Sequence, residues 1–178
     1  NMIGHNFRLG EIESAIAIEQ LKKLNYLVDQ KRKYAKQLSK GLSDLPGIIL
    51  PKIRKDCTHS FYLYKMQVIP EITKKSRNDI FKALQAEGVP GLMNKFVNLH
   101  LLPMYQKKIA YGTKGFPWKS DFCTTNPNYK KGSLPVAEYL QEKSFLGIQM
   151  CMYEFDESRV DDIIKSFRKV WKYLLKLL

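Results

Sequence analysis

The run Gly4-His5-Asn6-Phe7-Arg8 brings an amide, an imidazole and a guanidinium close together near the head of the chain. An amide donor beside a guanidinium fork suits an anion, phosphate above all. The next residues read as a helix: Glu11 and Glu13 sit where the helix dipole favours negative charge, and Leu9, Ile12 and Ile16 recur at helical spacing. Unpaired backbone N–H groups at such an end would add to the attraction for an anion. The plainer reading makes Asn6 a helix cap and leaves Arg8 solvated. Other reactive groups are less promising. Cys57, Cys123 and Cys151 share no close spacing, so neither a metal site nor a disulfide framework is suggested, and free thiols in a reducing cytoplasm are expected. Every lysine falls on a polar helix face or in a loop, where a solvated ammonium is the simplest state.

The elements that must position these groups form one domain with a core, since 44% of the 178 residues are hydrophobic and 26% charged. A formal net charge of +13 admits nucleic acid, an acidic membrane surface or phosphorylated small ligands. Its spread over several helices makes a solvated surface the simplest reading. No run approaches the roughly 20 apolar residues of a membrane span. The first residues lack the basic-then-apolar pattern of a signal peptide, and the absence of a leading Met suggests a piece of a longer protein.

From Leu9 to about Leu45 apolar residues recur every three or four positions, predicting one long helix or two broken near Asn25, stopped by Pro46-Gly47. Ile48 to Leu50 reads as a short strand, and Phe61 to Ile69 as the central strand of a small sheet. Ser76-Arg77-Asn78-Asp79 resembles a capping box opening a helix that Gly88 ends. From Leu92 to Ser133 proline and glycine interrupt every pattern while Tyr105, Tyr111, Phe116, Trp118, Phe122 and Tyr129 supply rings, predicting a long loop that packs on something. Pro135 opens a short helix, Phe145 to Met152 returns as a strand, and Asp156 caps a last amphipathic helix. The order predicts an α+β fold, a small antiparallel sheet covered by helices.

Gly4, Asn6 and Arg8, followed by Ala15-Ile16-Ala17 and Gln20-Leu21-Lys22-Lys23-Leu24, resemble the Gly-x-Asn-x-Arg segment and following helix of the DegT/DnrJ/EryC1/StrS sugar aminotransferases, which use pyridoxal phosphate (PLP). The resemblance covers essentially the whole chain. Tyr34 to Leu45 is similar to the family's helix before a Leu-Pro-Gly turn, and His59 to Val68 to its central strand. Leu99-His100-Leu101-Leu102-Pro103-Met104-Tyr105 resembles its Leu-His-x-x-Pro-x-Tyr loop, and Pro135-Val136-Ala137-Glu138 its Pro-x-Ala-Glu helix. Two stretches depart: Asn94-Lys95 stands where many members have His-Tyr near the nucleotide diphosphate, and Leu146 to Tyr153 replaces a Leu-Pro-x-x-Pro stretch.

The resemblance implies the C-terminal domain of a fold-type I PLP enzyme, with residues 1–45 an inter-domain or dimer helical segment and 46–178 the small α+β domain. It implies transfer of an amino group, typically from glutamate, to a keto group on a nucleotide-linked sugar, by a homodimer. The Schiff-base lysine would lie in a large N-terminal domain outside this chain, leaving the 178 residues inactive alone. Carried over by position, Asn6 becomes a ligand of the PLP phosphate in the neighbouring subunit and Arg8 a contact for the substrate's phosphates or sugar. Lys95 can replace the family histidine as a phosphate contact, since a point charge suffices. His100 resembles the loop histidine near the substrate entrance, or else braces the loop by a hydrogen bond. His5 occupies a variable position. Two further readings stay open: a basic module binding nucleic acid or a regulatory target, with Tyr62-Leu63-Tyr64-Lys65 interleaving rings and charge, and a coiled-coil interaction domain using Leu9 to Leu45.

Overall fold

The computed structural model describes the backbone of residues 9–176. A 32-residue helix, α1 (Glu11–Leu42), runs unbroken past Asn25. Its N-cap is Gly10, so Asn6, outside the described residues, is not the cap of this helix. The helix stops at Leu42, short of Pro46, and Gly47 then turns the chain with φ +73°. A side chain there would also lie 2.7 Å from Thr73 Cγ2, so the position excludes one twice over.

The sheet has four antiparallel strands in the order β1-β2-β4-β3: β1 (Ile48–Ile49), β2 (Tyr64–Val68), β3 (Leu92–Met93) and β4 (Phe145–Ile148). The predicted central strand is there but shorter at both ends. It pairs Tyr64 with Ile148 and Met66 with Leu146, and buries Tyr64, Met66 and Val68 while Lys65 faces solvent, the alternation of a strand with one covered face. The strand expected from Phe145 to Met152 ends at Ile148, and all four of its residues are buried. β3 falls where the sequence predicts an irregular stretch; two residues carry too little periodicity to announce a strand.

The helices α2 (Pro70–Thr73), α3 (Arg77–Ala86), α4 (Pro103–Lys107), α5 (Pro135–Tyr139) and α6 (Glu157–Lys176) complete the fold. α3 begins as its sequence requires: Ser76 Oγ accepts the Asp79 N–H at 3.1 Å and donates to the Asp79 carboxylate at 2.7 Å. α6 is capped by Asp156, which accepts the Arg159 N–H at 2.7 Å. The core gathers Ala35, Leu38 and Leu42 from α1, the inward residues of β2 and β4, Ile80 and Leu84 from α3, and Val160, Ile163, Phe167 and Trp171 from α6. α1 and α6 meet closely at Gly41, whose missing side chain leaves room for Ile164.

The first half of α1 takes no part in this core. Ile12, Ile16, Leu21 and Leu24 continue the same apolar stripe yet stay exposed, Ile12 at 76%. Ala35 is the first residue of α1 to be buried, and at 1.5 Å per residue Glu11 lies about 36 Å along the helix from it.

Candidate functional site

Lys95 and His100 lie on the segment between β3 and α4, and it is held from three sides. Phe96 N–H donates to Gln141 Oε1 at 2.7 Å, while the Gln141 amide donates to the Phe96 carbonyl. Asn94 donates to Asn78 Oδ1 at 3.2 Å, and the Phe96 ring packs on Phe145 with centroids 5.3 Å apart. Between these anchors Lys95 is exposed and joins no ion pair among the described residues. It is an available point charge on an anchored backbone.

His100 has the opposite setting. It sits in a 3-10 turn, Leu99–Leu101, is 6% exposed, and its Nε2 lies 2.9 Å from Glu138 Oε1. Glu138, one turn into α5, also accepts the N–H groups of Gly132, at 2.8 and 2.9 Å on its two oxygens, and of Leu134 at 3.4 Å. Burial pushes the Glu138 carboxyl up, but His100 and these N–H groups together outweigh it and hold the carboxyl below the ordinary glutamate value. Gln106 ties in the rest of the loop by donating to the carbonyls of His100 and Tyr129, at 2.6 and 2.5 Å. Tyr105, Trp118 and Tyr129 pack around it, with Trp118 edge-on to both tyrosine rings and its Nε1 donating to the Tyr129 hydroxyl at 3.1 Å. In this geometry His100 is buried and hydrogen-bonded into its own loop, whereas Lys95 is exposed.

Arg77 is a positioning residue whose sequence context shows only a capping box. Its buried guanidinium donates to the carbonyls of Phe145 at 2.8 Å, Glu142 at 3.0 Å and Gln141 at 3.2 Å, and its Nε to Asn78 at 3.0 Å. Burial lowers its pKa. It thereby fixes the wide helical turn Leu140–Ser144 from which Gln141 clasps Phe96. Only the fold reveals this, because the carbonyls it meets are distant in sequence and carry no side-chain signal.

Asn6 and Arg8 lie outside the described residues. The first half of the helix they precede is exposed and takes no part in the core. No lysine is among the buried polar residues described. A separate cleft of about 570 Å³ opens between the C-terminal half of α1 and residues 51–61, with Arg32, Lys36 and Lys52 on its walls. No group that could hold a metal occurs among the described residues, and none of their helices is long and apolar enough to cross a membrane.

Residues 1–148 match the DegT/DnrJ/EryC1/StrS aminotransferase family. The chain belongs to that family. It is 25% identical over 169 residues to the spore coat polysaccharide biosynthesis protein SpsC of Bacillus subtilis, covering 95% of this chain and 38% of SpsC. It is 30% identical over 105 residues to the dTDP-4-dehydro-2,3,6-trideoxy-D-glucose 4-aminotransferase of Saccharopolyspora spinosa, covering 58% of this chain and 26% of that enzyme. Among solved structures, DesV of S. venezuelae superposes with a TM-score of 0.68 at 21% identity over 93% of this chain, and PseC of Helicobacter pylori with 0.66 at 19% identity over 97%. These two likenesses establish the fold. The chain spans 37% of DesV and 40% of PseC, so this DegT/DnrJ/EryC1/StrS member corresponds to little more than a third of the proteins it resembles.

Proposed function

We propose that the chain is the C-terminal part of a PLP-dependent aminotransferase that moves an amino group, from glutamate, onto a keto group of a nucleotide-linked sugar. The observation that carries this is the family match over residues 1–148 by a chain spanning 38% of SpsC. The substrate class is taken from relatives such as the Saccharopolyspora spinosa enzyme, whose name specifies a dTDP-linked keto sugar. PLP, when bound, supplies the electron sink for exchanging an amino and a keto group. Its anchoring lysine is assigned to polypeptide outside these 178 residues, in keeping with a chain that spans 38% of SpsC. The chain alone is then inactive.

On this assignment residues 1–45 serve as the inter-domain and dimer segment, and residues 46–178 as the small domain. The exposed apolar stripe from Ile12 to Leu24 supports it, since contiguous exposed apolar faces mark interaction surfaces. At its head Asn6 donates its amide to the cofactor phosphate of the neighbouring subunit, and Arg8 offers a bidentate fork to the substrate's phosphates or sugar. Lys95 contributes a charge for the nucleotide diphosphate, held in place by the clasp of Gln141 on Phe96. His100 acts at one remove, by keeping the loop around it folded. The cytoplasm is the fitting compartment, with Cys57 and Cys151 exposed as free thiols.

Lys95→Ala in the full-length enzyme tests the substrate assignment. It is expected to raise the KM for the nucleotide sugar about tenfold, the usual loss of one charged hydrogen bond, with kcat little changed. An unchanged KM would remove Lys95 from the site.

A further inference from the structure

Lys95 is presented by a stretch that the sheet does not hold. Residues 94–97 lie past the end of β3 and, among the described residues, enter none of the backbone–backbone hydrogen bonds found outside the regular elements. Phe96 and Val97 are exposed, so burial does not fix the stretch either. What fixes it are side-chain contacts to the residues on either side of Lys95. Asn94, before it, donates to Asn78 Oδ1 at 3.2 Å. Phe96, after it, is held through both its N–H and its carbonyl by the side-chain amide of Gln141, and its ring lies on that of Phe145.

Each of these three anchors leads back to one buried group, the guanidinium of Arg77. Its Nε donates at 3.0 Å to the same Asn78 Oδ1 that takes the Asn94 amide, an oxygen with two lone pairs to share. Its Nη2 donates to the Gln141 carbonyl at 3.2 Å, and its Nη1 to the Phe145 carbonyl at 2.8 Å. Arg77 joins no ion pair among the described residues, so these donors are spent on neutral oxygens. A planar fork with fixed, diverging N–H groups can reach Asn78, Gln141 and Phe145 at once, whereas an ammonium is a single point. The pair Asn94-Lys95 thereby divides its work: the first side chain ties the backbone down and the second is left exposed.

We infer that Arg77, acting through Asn78, Gln141 and Phe145, is a positioning residue that fixes the backbone on both sides of Lys95 and so sets the affinity for the nucleotide sugar; this rests on the contact proposed for Lys95. A lysine is a point charge on a flexible stem, so the placement of its backbone limits where the ammonium can go. A loose backbone would have to be ordered on binding, and that ordering subtracts from affinity.

UDP and dTDP, the latter the nucleotide in the name of the Saccharopolyspora spinosa relative, are to be titrated calorimetrically into the full-length enzyme. The tighter of the two is carried through Lys95→Ala, Gln141→Ala, Arg77→Lys and the double variant Lys95→Ala/Gln141→Ala. Thermal melts establish that each folds; Asn78→Ala, which alters an exposed partner, replaces Arg77→Lys if the buried substitution unfolds the protein. Lys95→Ala is expected to weaken binding about tenfold, and Gln141→Ala and Arg77→Lys at least about threefold. Once the lysine is gone there is no charge left to place, so adding Gln141→Ala to Lys95→Ala should change affinity by less than about twofold. Hydrogen exchange of the Phe96 amide should quicken in Gln141→Ala. Equal weakening by Gln141→Ala with and without Lys95 would mark a general structural effect and overturn the inference. Wild-type affinity in Gln141→Ala or Arg77→Lys, beside a weakened Lys95→Ala, would overturn it while leaving the Lys95 contact standing. Unchanged affinity in Lys95→Ala, or no binding of either nucleotide to the enzyme itself, would remove that contact and the role of Arg77 with it.

Discussion

Glu138 is nearly all carboxylate acceptor with nothing left over: an imidazole and two backbone N–H groups converge on it at the foot of α5. Its folded pKa lies below the ordinary value of 4.5, because His100 and those N–H groups overcome the opposing effect of burial. The sign comes from linkage: a carboxyl whose folded pKa is depressed contributes stability that is complete above its unfolded pKa and lost as pH falls through the folded one. Acidification from 4.5 downward should therefore loosen the loop around Tyr105, Trp118 and Tyr129 before the sheet unfolds, seen as a change in Trp118 fluorescence. Glu138→Gln should flatten that acid limb and lower the melting temperature at neutral pH; an acid limb identical to wild type would show that the pair does not hold the loop. The histidine and the glutamate are each visible in the sequence, as members of two separate motifs. Their pairing is not, because nothing in a chain of letters records that residues 100 and 138 meet.

α1 shows what periodicity can and cannot say. Its apolar spacing from Leu9 to Leu42 makes a long helix legible, along with the final amphipathic helix and the capped α3. What the spacing cannot tell is where a continuous stripe changes partner. Ala35, Leu38 and Leu42 enter the domain's own core whereas Ile12, Ile16 and Leu21 do not, so α1 belongs to both sides of the division expected near residue 45. The crossing with α6 depends on a residue no pattern would single out. A Cβ on Gly41 would lie 2.5, 2.8 and 2.9 Å from Cδ1, Cγ1 and Cγ2 of Ile164, so the Ile164 side chain would have to give way. Although alanine is the better helix former, Gly41→Ala should destabilise the domain by about 1–3 kcal/mol through this overpacking. Denaturant unfolding would measure it, and a gain in stability would mean that the helices separate at little cost. Short strands are the least legible elements, since two-residue strands such as β1 and β3 are defined by their neighbours.

At the scale of the whole molecule, a compact α+β body carries a helix whose free half offers an uncovered apolar face and leads to the Gly-x-Asn-x-Arg segment. The family, the fold and the location of the loop motifs are legible from the sequence because several ordered motifs have to agree. Arg77 and the cleft beside His59 are not, since both are made by contacts across long separations. The net charge of +13 decides nothing by itself; what distinguishes its members is which cations find carboxylates, as Lys33 and Arg168 do, and which, like Lys36, Lys52 and Lys95, find none among the described residues. The cofactor site proposed at the subunit boundary depends on Asn6, ahead of α1, delivering an amide to the cofactor phosphate. The most direct measurement is a titration of PLP into the full-length enzyme and its Asn6→Ala variant, monitoring the cofactor's absorbance. Cofactor affinity is predicted to be weaker by about tenfold or more in the variant, and equal affinity in the two proteins would contradict that role for Asn6.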